Sequence, residues 1–184
     1  PWIHNLKNTD MVIDIDDAAV VRLARLFNEP AGQALLAKKG VPVDLAGRLN
    51  LLGFSGICNL VSAIKFARYF ELGRNDVVLT VLTDSMELYR SRLAEMRAEC
   101  GDYSEKDAIA DHARYLEGLT TDRLLELSYP EKRRIHNLKY FTWVEQQGRT
   151  FKEITAQWYD PDYWSLYQRQ VPEIDALIEE FNSR

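Results

Sequence analysis

The sequence has 184 residues, of which 46% are apolar and 28% are charged, and its formal net charge is −5. This balance is typical of a globular protein with a hydrophobic core. A nucleic-acid partner needs a localised basic patch, and the best candidate, residues 132–134, stands among acidic residues. We therefore predict a solvated helix face there and no nucleic-acid binding.

The cysteine content and the hydropathy pattern indicate the cellular location of the chain. Cys58 and Cys100 are too few for a disulfide framework and lack the spacing of metal ligands. The sequence contains no apolar run of about 18 residues. We therefore predict no signal peptide, no membrane span and a cytoplasmic location. The chain opens with Pro1-Trp2 rather than methionine, and a strand-like run follows almost at once.

The first elements combine a strand with helices. Residues 11–15 are rich in branched side chains and predict a strand. An aspartate at 16 or 17 then caps a helix with Val20, Val21, Ala24 and Phe27 on one face. Pro30 suits the first turn of a second helix, which ends at Gly40.

The helix predicted from Gly56 to about Phe70, with the run that follows it, indicates the fold class. The helix is apolar over most of its circumference, which is typical of a helix packed inside a layered domain. Its thin polar stripe consists of Asn59, Ser62, Lys65 and Arg68. Residues 77–82 do not alternate, as in a strand covered on both faces in a parallel sheet. Together these elements predict an α/β fold.

All signals after residue 85 predict helices. We expect them from Ser85 to about Cys100, from a cap at Ser104 to Gly118, after Thr121, from a capping box at Ser128 to Gly148, after Thr150, and along an amphipathic stripe at 171–181. So few strands cannot complete a doubly wound sheet. We therefore predict part of an α/β domain over residues 1–100 and an all-helical extension over 101–184.

Small polar residues at two element ends are the candidate binding groups. Ser55 precedes a helix amino terminus, whose free N–H groups favour a polar or anionic ligand, but a serine there also serves as a cap. Asp84 and Ser85 follow the predicted strand, where open α/β sheets bind ligands, and they too are possible caps. For each of these residues, ligand binding and helix capping both remain open interpretations.

The remaining chemistry-bearing residues favour structural roles. None of the histidines His4, His112 and His136 has a partner at metal spacing or a neighbouring nucleophile. The segment 158–167 carries five aromatic residues, Trp158, Tyr159, Tyr163, Trp164 and Tyr167. Packing against a neighbouring domain or subunit is the preferred interpretation of this cluster, and a ligand-stacking lid is the other.

Two stretches carry a resemblance to a known family. "GFSG" leading to "AIKFARY", and "VVLTVLTDSMELY", resemble the glycine-serine turn and the Leu-Pro-Asp-Ser strand end of fold type II pyridoxal-phosphate enzymes. This group includes cysteine synthase and the tryptophan synthase β-subunit, and here Thr83 replaces the proline. The resemblance covers residues 1–95, and the rest is similar to a helix-rich subgroup known as pyridoxal-phosphate-dependent β-subunit proteins.

The resemblance implies a role for each matched residue. Ser55 falls where the family's serine bonds the pyridine nitrogen of pyridoxal 5′-phosphate. A neutral hydroxyl leaves that nitrogen largely unprotonated, which suits β-replacement and β-elimination on an amino-acid substrate. In the turn that includes Phe54, Gly53 and Gly56 would let the backbone approach the ring. The same edge of the ring would be lined by Thr83, Asp84 and Ser85.

The resemblance does not supply a catalytic residue in this chain. In the family, the lysine that carries the cofactor and the loops that bind phosphate and substrate precede the matched region. Lys65 lies on the polar stripe and is not assigned that role. We therefore expect no catalytic residue and no metal ligand here. A companion chain or N-terminal half is expected to supply the lysine, and the assembled enzyme is expected to be a homodimer.

Two other hypotheses stay open at this point. The chain is alternatively a non-catalytic interaction or regulatory module derived from such an enzyme. A complete small α/β enzyme that uses Asp84 or a histidine is a third hypothesis, but no full catalytic constellation is visible for it.

Overall fold

A computed structural model describes residues 4–183. Pro1 and Trp2, which open the chain, lie outside the described residues. The described part of the chain is 66% helical and contains one small sheet of two antiparallel strands. These are β1 (Met11–Ile13) and β2 (Leu124–Glu126). The helix-rich character expected from the sequence is therefore confirmed.

The chain divides into two compact units, the first of which comprises residues 13–124. Its α-helices are α1 (Asp17–Asn28), α2 (Pro30–Lys38), α3 (Val43–Ala46), α4 (Phe54–Tyr69), α5 (Arg90–Cys100) and α6 (Glu105–His112). Short 3-10 helices at Leu49–Leu51 and Met86–Tyr89, and a π-helical turn at Ala113–Glu117, complete the unit. The helices predicted after residues 16, 30, 55, 85 and 104 are confirmed.

Helix α1 organises the core of the first unit. The Asp16 side chain caps it by accepting a hydrogen bond of 2.9 Å from the Ala18 N–H. Its apolar face, with Leu23 and Leu26 fully buried, packs against α2, α4 and α6. Further buried core residues from the other elements are Leu35, Leu36, Ile57, Val61, Met86 and Ala108. Because Ala108 of α6 belongs to this core, the unit extends past residue 100, where we predicted a boundary.

Buried charges in the first unit are paired. Glu29, at the junction of α1 and α2, accepts two hydrogen bonds of 2.9 Å from Arg97 and lies 3.6 Å from Arg25. Asp111 of α6 accepts hydrogen bonds from Arg22 at 2.9 Å and from the Tyr103 hydroxyl at 2.8 Å. Pairing of this kind is required because an unpaired buried charge is strongly destabilising.

The second unit comprises the described residues up to Val12 and those from Leu125 onward. Its α-helices are α7 (Tyr129–Asn137), α8 (Phe151–Tyr159), α9 (Tyr163–Arg169) and α10 (Val171–Asn182). A 3-10 helix at Leu6–Asn8 and a π-helical turn at Tyr140–Glu145 accompany them. The small core contains Leu6, Leu127 and Trp158.

Two details of the helical half differ from the prediction. Residues 124–126 form β2 rather than a helix after Thr121, because this segment pairs with β1: the Asp14 N–H donates to the Arg123 carbonyl at 3.0 Å. Ser128 precedes α7, but its side chain makes no capping hydrogen bond. The Thr150 cap is confirmed, since its hydroxyl accepts from the Glu153 N–H at 3.3 Å.

The predicted buried strand at residues 77–82 is wrong. The segment has no regular secondary structure, and the exposed fractions of Val77 and Leu79 are 90% and 93%. A strand needs a neighbour to satisfy its backbone groups, and within the described residues only β1 and β2 pair. The parallel sheet expected for the α/β fold is therefore not formed by the described part of the chain.

A close contact between α1 and α2 provides a test of this packing. In Gly32→Ala, the new Cβ would lie 2.0 Å from the Leu26 carbonyl oxygen, so the two helices must separate. We expect the free energy of unfolding, measured by urea denaturation of the whole chain, to fall by about 1–3 kcal/mol.

The matched control for this variant is Gly47→Ala, whose Cβ meets nothing closer than the Val43 carbonyl oxygen at 3.5 Å. Its effect should stay within about 0.5 kcal/mol. Equal effects of the two substitutions would contradict the proposed steric cause.

Candidate functional site

The first motif of the family resemblance, residues 53–56, forms the amino terminus of α4. Gly53 is the capping residue, and the helix begins at Phe54, so Ser55 lies inside the first turn. The backbone N–H groups of residues 54–56 meet no acceptor among residues 4–183, and the first helical bond runs from the Ile57 N–H to the Gly53 carbonyl at 2.9 Å. Ser55 is exposed and makes no capping hydrogen bond. Of its two interpretations, the cap is therefore excluded.

The second motif lies directly against the first. The Gly53 N–H donates to the Asp84 carbonyl at 2.9 Å, and the rings of Phe54 and Tyr89 meet edge to face with centroids 4.9 Å apart. The Tyr89 hydroxyl donates to the Asp84 carboxylate at 2.6 Å. The structure thus brings Gly53–Gly56 and Thr83–Ser85 together, and Tyr89 packs half-buried against the core.

Each residue of the second motif has a distinct environment. Thr83 is exposed, and its hydroxyl donates to the Asp84 carboxylate at 3.2 Å. Ser85 accepts a hydrogen bond of 3.2 Å from the Glu87 N–H, so it caps the helical turn that follows. The hydrogen bond to Asp84 raises the pKa of the Tyr89 phenol, with a smaller contribution from burial. The phenol therefore remains a donor.

The two glycines of the turn differ in how closely other atoms approach them. A Cβ on Gly53 would lie 2.4 Å from a carboxylate oxygen of Asp84, so the absence of a side chain is what admits Asp84 here. A Cβ on Gly56 would make ordinary contacts, the nearest at 3.5 Å to Leu52. A cavity of about 440 Å³ opens beside Phe54 and Tyr89.

Lys65 does not belong to this site. It is buried, because it shares the inner face of α4 with Ile57 and Val61. Its ammonium group donates to Asp122 at 3.0 Å. Thr120 and Lys65 hold the pKa of Asp122 below its ordinary value, in that order of importance. This pair gives Lys65 a structural role.

Cys58 and the histidines also occupy structural positions. Burial, together with the nearby carboxylates Asp17 and Asp14, raises the pKa of the Cys58 thiol, which disfavours a reactive thiolate. His4 is hydrogen-bonded to the Thr9 hydroxyl, and His136 to the Ile154 carbonyl. His112 lies 3.5 Å from Glu117. Among the described residues, no cluster of histidine, cysteine or acidic side chains has the arrangement of a metal site.

The basic run and the aromatic segment are engaged within the second unit. Lys132 lies 3.2 Å from Asp10, Arg134 lies 2.8 Å from Glu131, and Arg133 donates to the Tyr159 hydroxyl at 2.6 Å. Trp158 packs against Tyr129 and His136. In the part of the chain that the structure describes, no helix is long and apolar enough to cross a membrane.

Lys139 is a buried ionisable residue that the sequence did not single out. Its ammonium group donates to Gln157 at 2.7 Å and to the His4 carbonyl, and it lies 5.5 Å from the centre of the Trp164 ring. Burial lowers the pKa of Lys139 to about 8. Nothing in the local sequence indicated this, because the partners of Lys139 come from distant positions.

Comparison with known proteins places no further constraint on this site. No protein-family model, no curated protein sequence and no solved structure matches the chain.

The buried lysine has a consequence for stability. Its pKa is about 8 in the folded protein and 10.5 ordinarily, so folding releases a proton between these pH values. Stability therefore rises with pH across this window. We expect the free energy of unfolding of the wild type, relative to Lys139→Met, to rise by up to about 3 kcal/mol between about pH 8 and pH 10.5.

Chemical denaturation at a series of pH values measures this difference. The matched control is Lys152→Met, which removes the same charge from an exposed position on α8. If the difference in free energy of unfolding between the wild type and Lys139→Met stays constant or falls with pH, burial does not disfavour the charged form of Lys139.

Proposed function

We propose that this chain forms the ring-binding part of a pyridoxal-phosphate site in a fold type II enzyme that acts on an amino acid by β-replacement or β-elimination. The observation that carries the proposal is the free hydroxyl of Ser55, exposed at the amino terminus of α4 beside the Asp84 segment. The family resemblance assigns the same serine to the pyridine nitrogen. A companion polypeptide is proposed to supply the lysine.

The local charges favour the ring rather than the phosphate of the cofactor at this position. The Asp84 carboxylate lies against Gly53, and a phosphate placed here would be repelled by it. A neutral pyridine nitrogen meets no such repulsion, and the Ser55 hydroxyl is able to donate to it. The residues therefore fit the ring, with the phosphate held elsewhere in the assembled enzyme.

The chemistry expected of the site follows from the neutrality of Ser55. When bound, pyridoxal phosphate supplies an electron-accepting ring. Ser55 would orient that ring and hold a hydrogen bond at its nitrogen without transferring a full charge to it. Tyr89, through its bond to Asp84, would keep the carboxylate and the Gly53 turn in place. These are binding and positioning roles, and the proton transfers would belong to the companion.

The exposed run at Val77–Leu82 supports the need for a companion. No charged residue occurs in it. Among the described residues, its backbone makes one hydrogen bond, in which the Val81 carbonyl accepts from Asn59 at 2.8 Å. A groove of about 390 Å³ lies between residues 77–80 and α4. An apolar segment with free backbone groups is suited to pairing with a strand of another polypeptide. It leads directly into Thr83 and Asp84.

Replacement of Ser55 tests the cofactor proposal. We expect Ser55→Ala to weaken pyridoxal-phosphate binding in the assembled enzyme by about tenfold, since one hydrogen bond contributes about 1 kcal/mol or somewhat more. Cofactor absorbance titrations on the complex, purified through a tag on this chain from the cells that produce it, give the affinity.

The matched control is Ser128→Ala, an exposed serine at the start of α7 that makes no capping hydrogen bond and lies outside the candidate site. Intact masses after borohydride reduction identify the polypeptide that carries a pyridoxyl group. Unchanged affinity and activity in Ser55→Ala, or the absence of any pyridoxyl adduct, would refute the proposed function.

Charges placed in the exposed run test the companion. In Val77→Lys with Leu79→Lys, the chain itself should keep its stability within about 0.5 kcal/mol, because both side chains already face solvent. The double variant should no longer assemble with the companion, because burying a charge in an apolar strand interface costs free energy. Size-exclusion chromatography measures this assembly.

Leu88→Lys is the control for this pair, since Leu88 is similarly exposed but lies outside the run. Retained assembly in the double variant would exclude the run as the companion's binding surface.

The same exposed run favours a second candidate function, a non-catalytic interaction module. Both functions require a partner at residues 77–82, but only the enzyme requires Ser55. A complex that forms normally and contains no pyridoxal phosphate would favour the module.

A further inference from the structure

Helix α10 presents an apolar stripe to solvent. The stripe consists of Val171, Ile174, Leu177, Ile178 and Phe181. The exposed fraction of these side chains ranges from 47% for Ile174 to 76% for Phe181, and no residue of the helix is buried. An amphipathic helix normally covers such a stripe against another surface.

Acidic residues border the stripe on both sides. With about 100° per residue, Glu173 and Glu180 lie beside Leu177 on one margin, and Asp175 and Glu179 lie beside Val171 on the other. Within residues 4–183, Glu173, Asp175 and Glu179 form no ion pair. No lysine or arginine occurs between residues 171 and 182. Glu173 on one margin, and Asp175 with Glu179 on the other, therefore carry negative charge that no cation among the described residues neutralises.

This charge pattern discriminates among possible occupants. A second copy of α10 would bring acidic margins against acidic margins, which is unfavourable. A membrane surface is also disfavoured, because helices that lie on membranes carry lysine and arginine on their polar face and bind anionic lipids. A protein surface with an apolar groove and basic rims matches both the stripe and its margins.

We propose that α10 is a docking helix for a basic partner protein, which receives the stripe in an apolar groove rimmed by lysine or arginine. The stripe supplies the buried contact area, and the acidic margins set the partner's identity and its orientation. This docking depends only on α10 and is independent of the cofactor proposal.

A pair of designed peptides tests the docking. Each is a helix of about 20 residues with a leucine stripe, one bordered by lysine and the other, otherwise identical, by glutamate. Fluorescence anisotropy with the full chain should give at least about tenfold tighter binding of the lysine peptide, and added salt should weaken it.

Charge reversal on α10 provides the decisive variant, since it leaves the apolar stripe intact. The preference for the lysine peptide should invert to the glutamate peptide when lysine replaces Glu173, Asp175 and Glu179. The matched control makes the same change in net charge at exposed acidic residues elsewhere, Asp44, Asp102 and Glu145, and should keep the original preference. Truncation of the stripe, in Leu177→Ser with Ile178→Ser, should abolish binding of both peptides.

Three outcomes would overturn the proposal. The first is equal affinity for the two peptides, and the second is a preference that does not respond to the reversal on α10. The third is a dimer in analytical ultracentrifugation that Leu177→Ser with Ile178→Ser dissociates, because the stripe would then be covered by a second copy of the chain.

Discussion

The buried carboxylate of Glu29 is the interaction around which the first unit is arranged. It lies where α1 ends and α2 begins, and it can be buried there only because Arg97 and Arg25 neutralise it. Since Arg97 belongs to α5, this pairing ties α5 to the α1–α2 junction. Arg25 also lies 4.9 Å from the centre of the Tyr103 ring, which brings the start of α6 into the same arrangement.

The candidate site depends on this arrangement. The turn that precedes α5 contains Met86, which is buried in the core, and Tyr89, which holds the Asp84 carboxylate. Asp84 in turn accepts the Gly53 N–H, so the two motifs are joined by one backbone hydrogen bond and by the edge-to-face contact of Phe54 with Tyr89. The contact requires a residue without Cβ at position 53, whereas position 56 makes no such demand. Packing on one side of α5 thus determines the geometry at the start of α4.

Local signals predicted most of the helices, and long-range partners account for what they missed. Helix caps such as Asp16, and the apolar periodicity of α1 and α10, depend only on residues that are close in sequence. These elements were therefore predictable. The pairing of β2 with β1 joins positions more than a hundred residues apart, and no local pattern reports it. The ion pair of Lys65 and the burial of Lys139 were not predictable for the same reason, because Asp122 and Gln157 are remote in the sequence. Small polar residues at element ends and the family resemblance singled out the residues of the candidate site, but only the fold brought Gly53 against Asp84.

Two apolar surfaces left uncovered in the structure differ in the kind of partner they can accept. Residues 77–82 offer free backbone groups and no charge, so a partner strand would be selected by main-chain pairing and shape. Helix α10 has its backbone satisfied, and its selectivity lies in the acidic margins of the stripe. Because those margins repel a second copy of the same helix, a homodimer of the kind that the family resemblance implies would have to form through another surface. The two uncovered surfaces are therefore suited to different partners rather than to one symmetric contact.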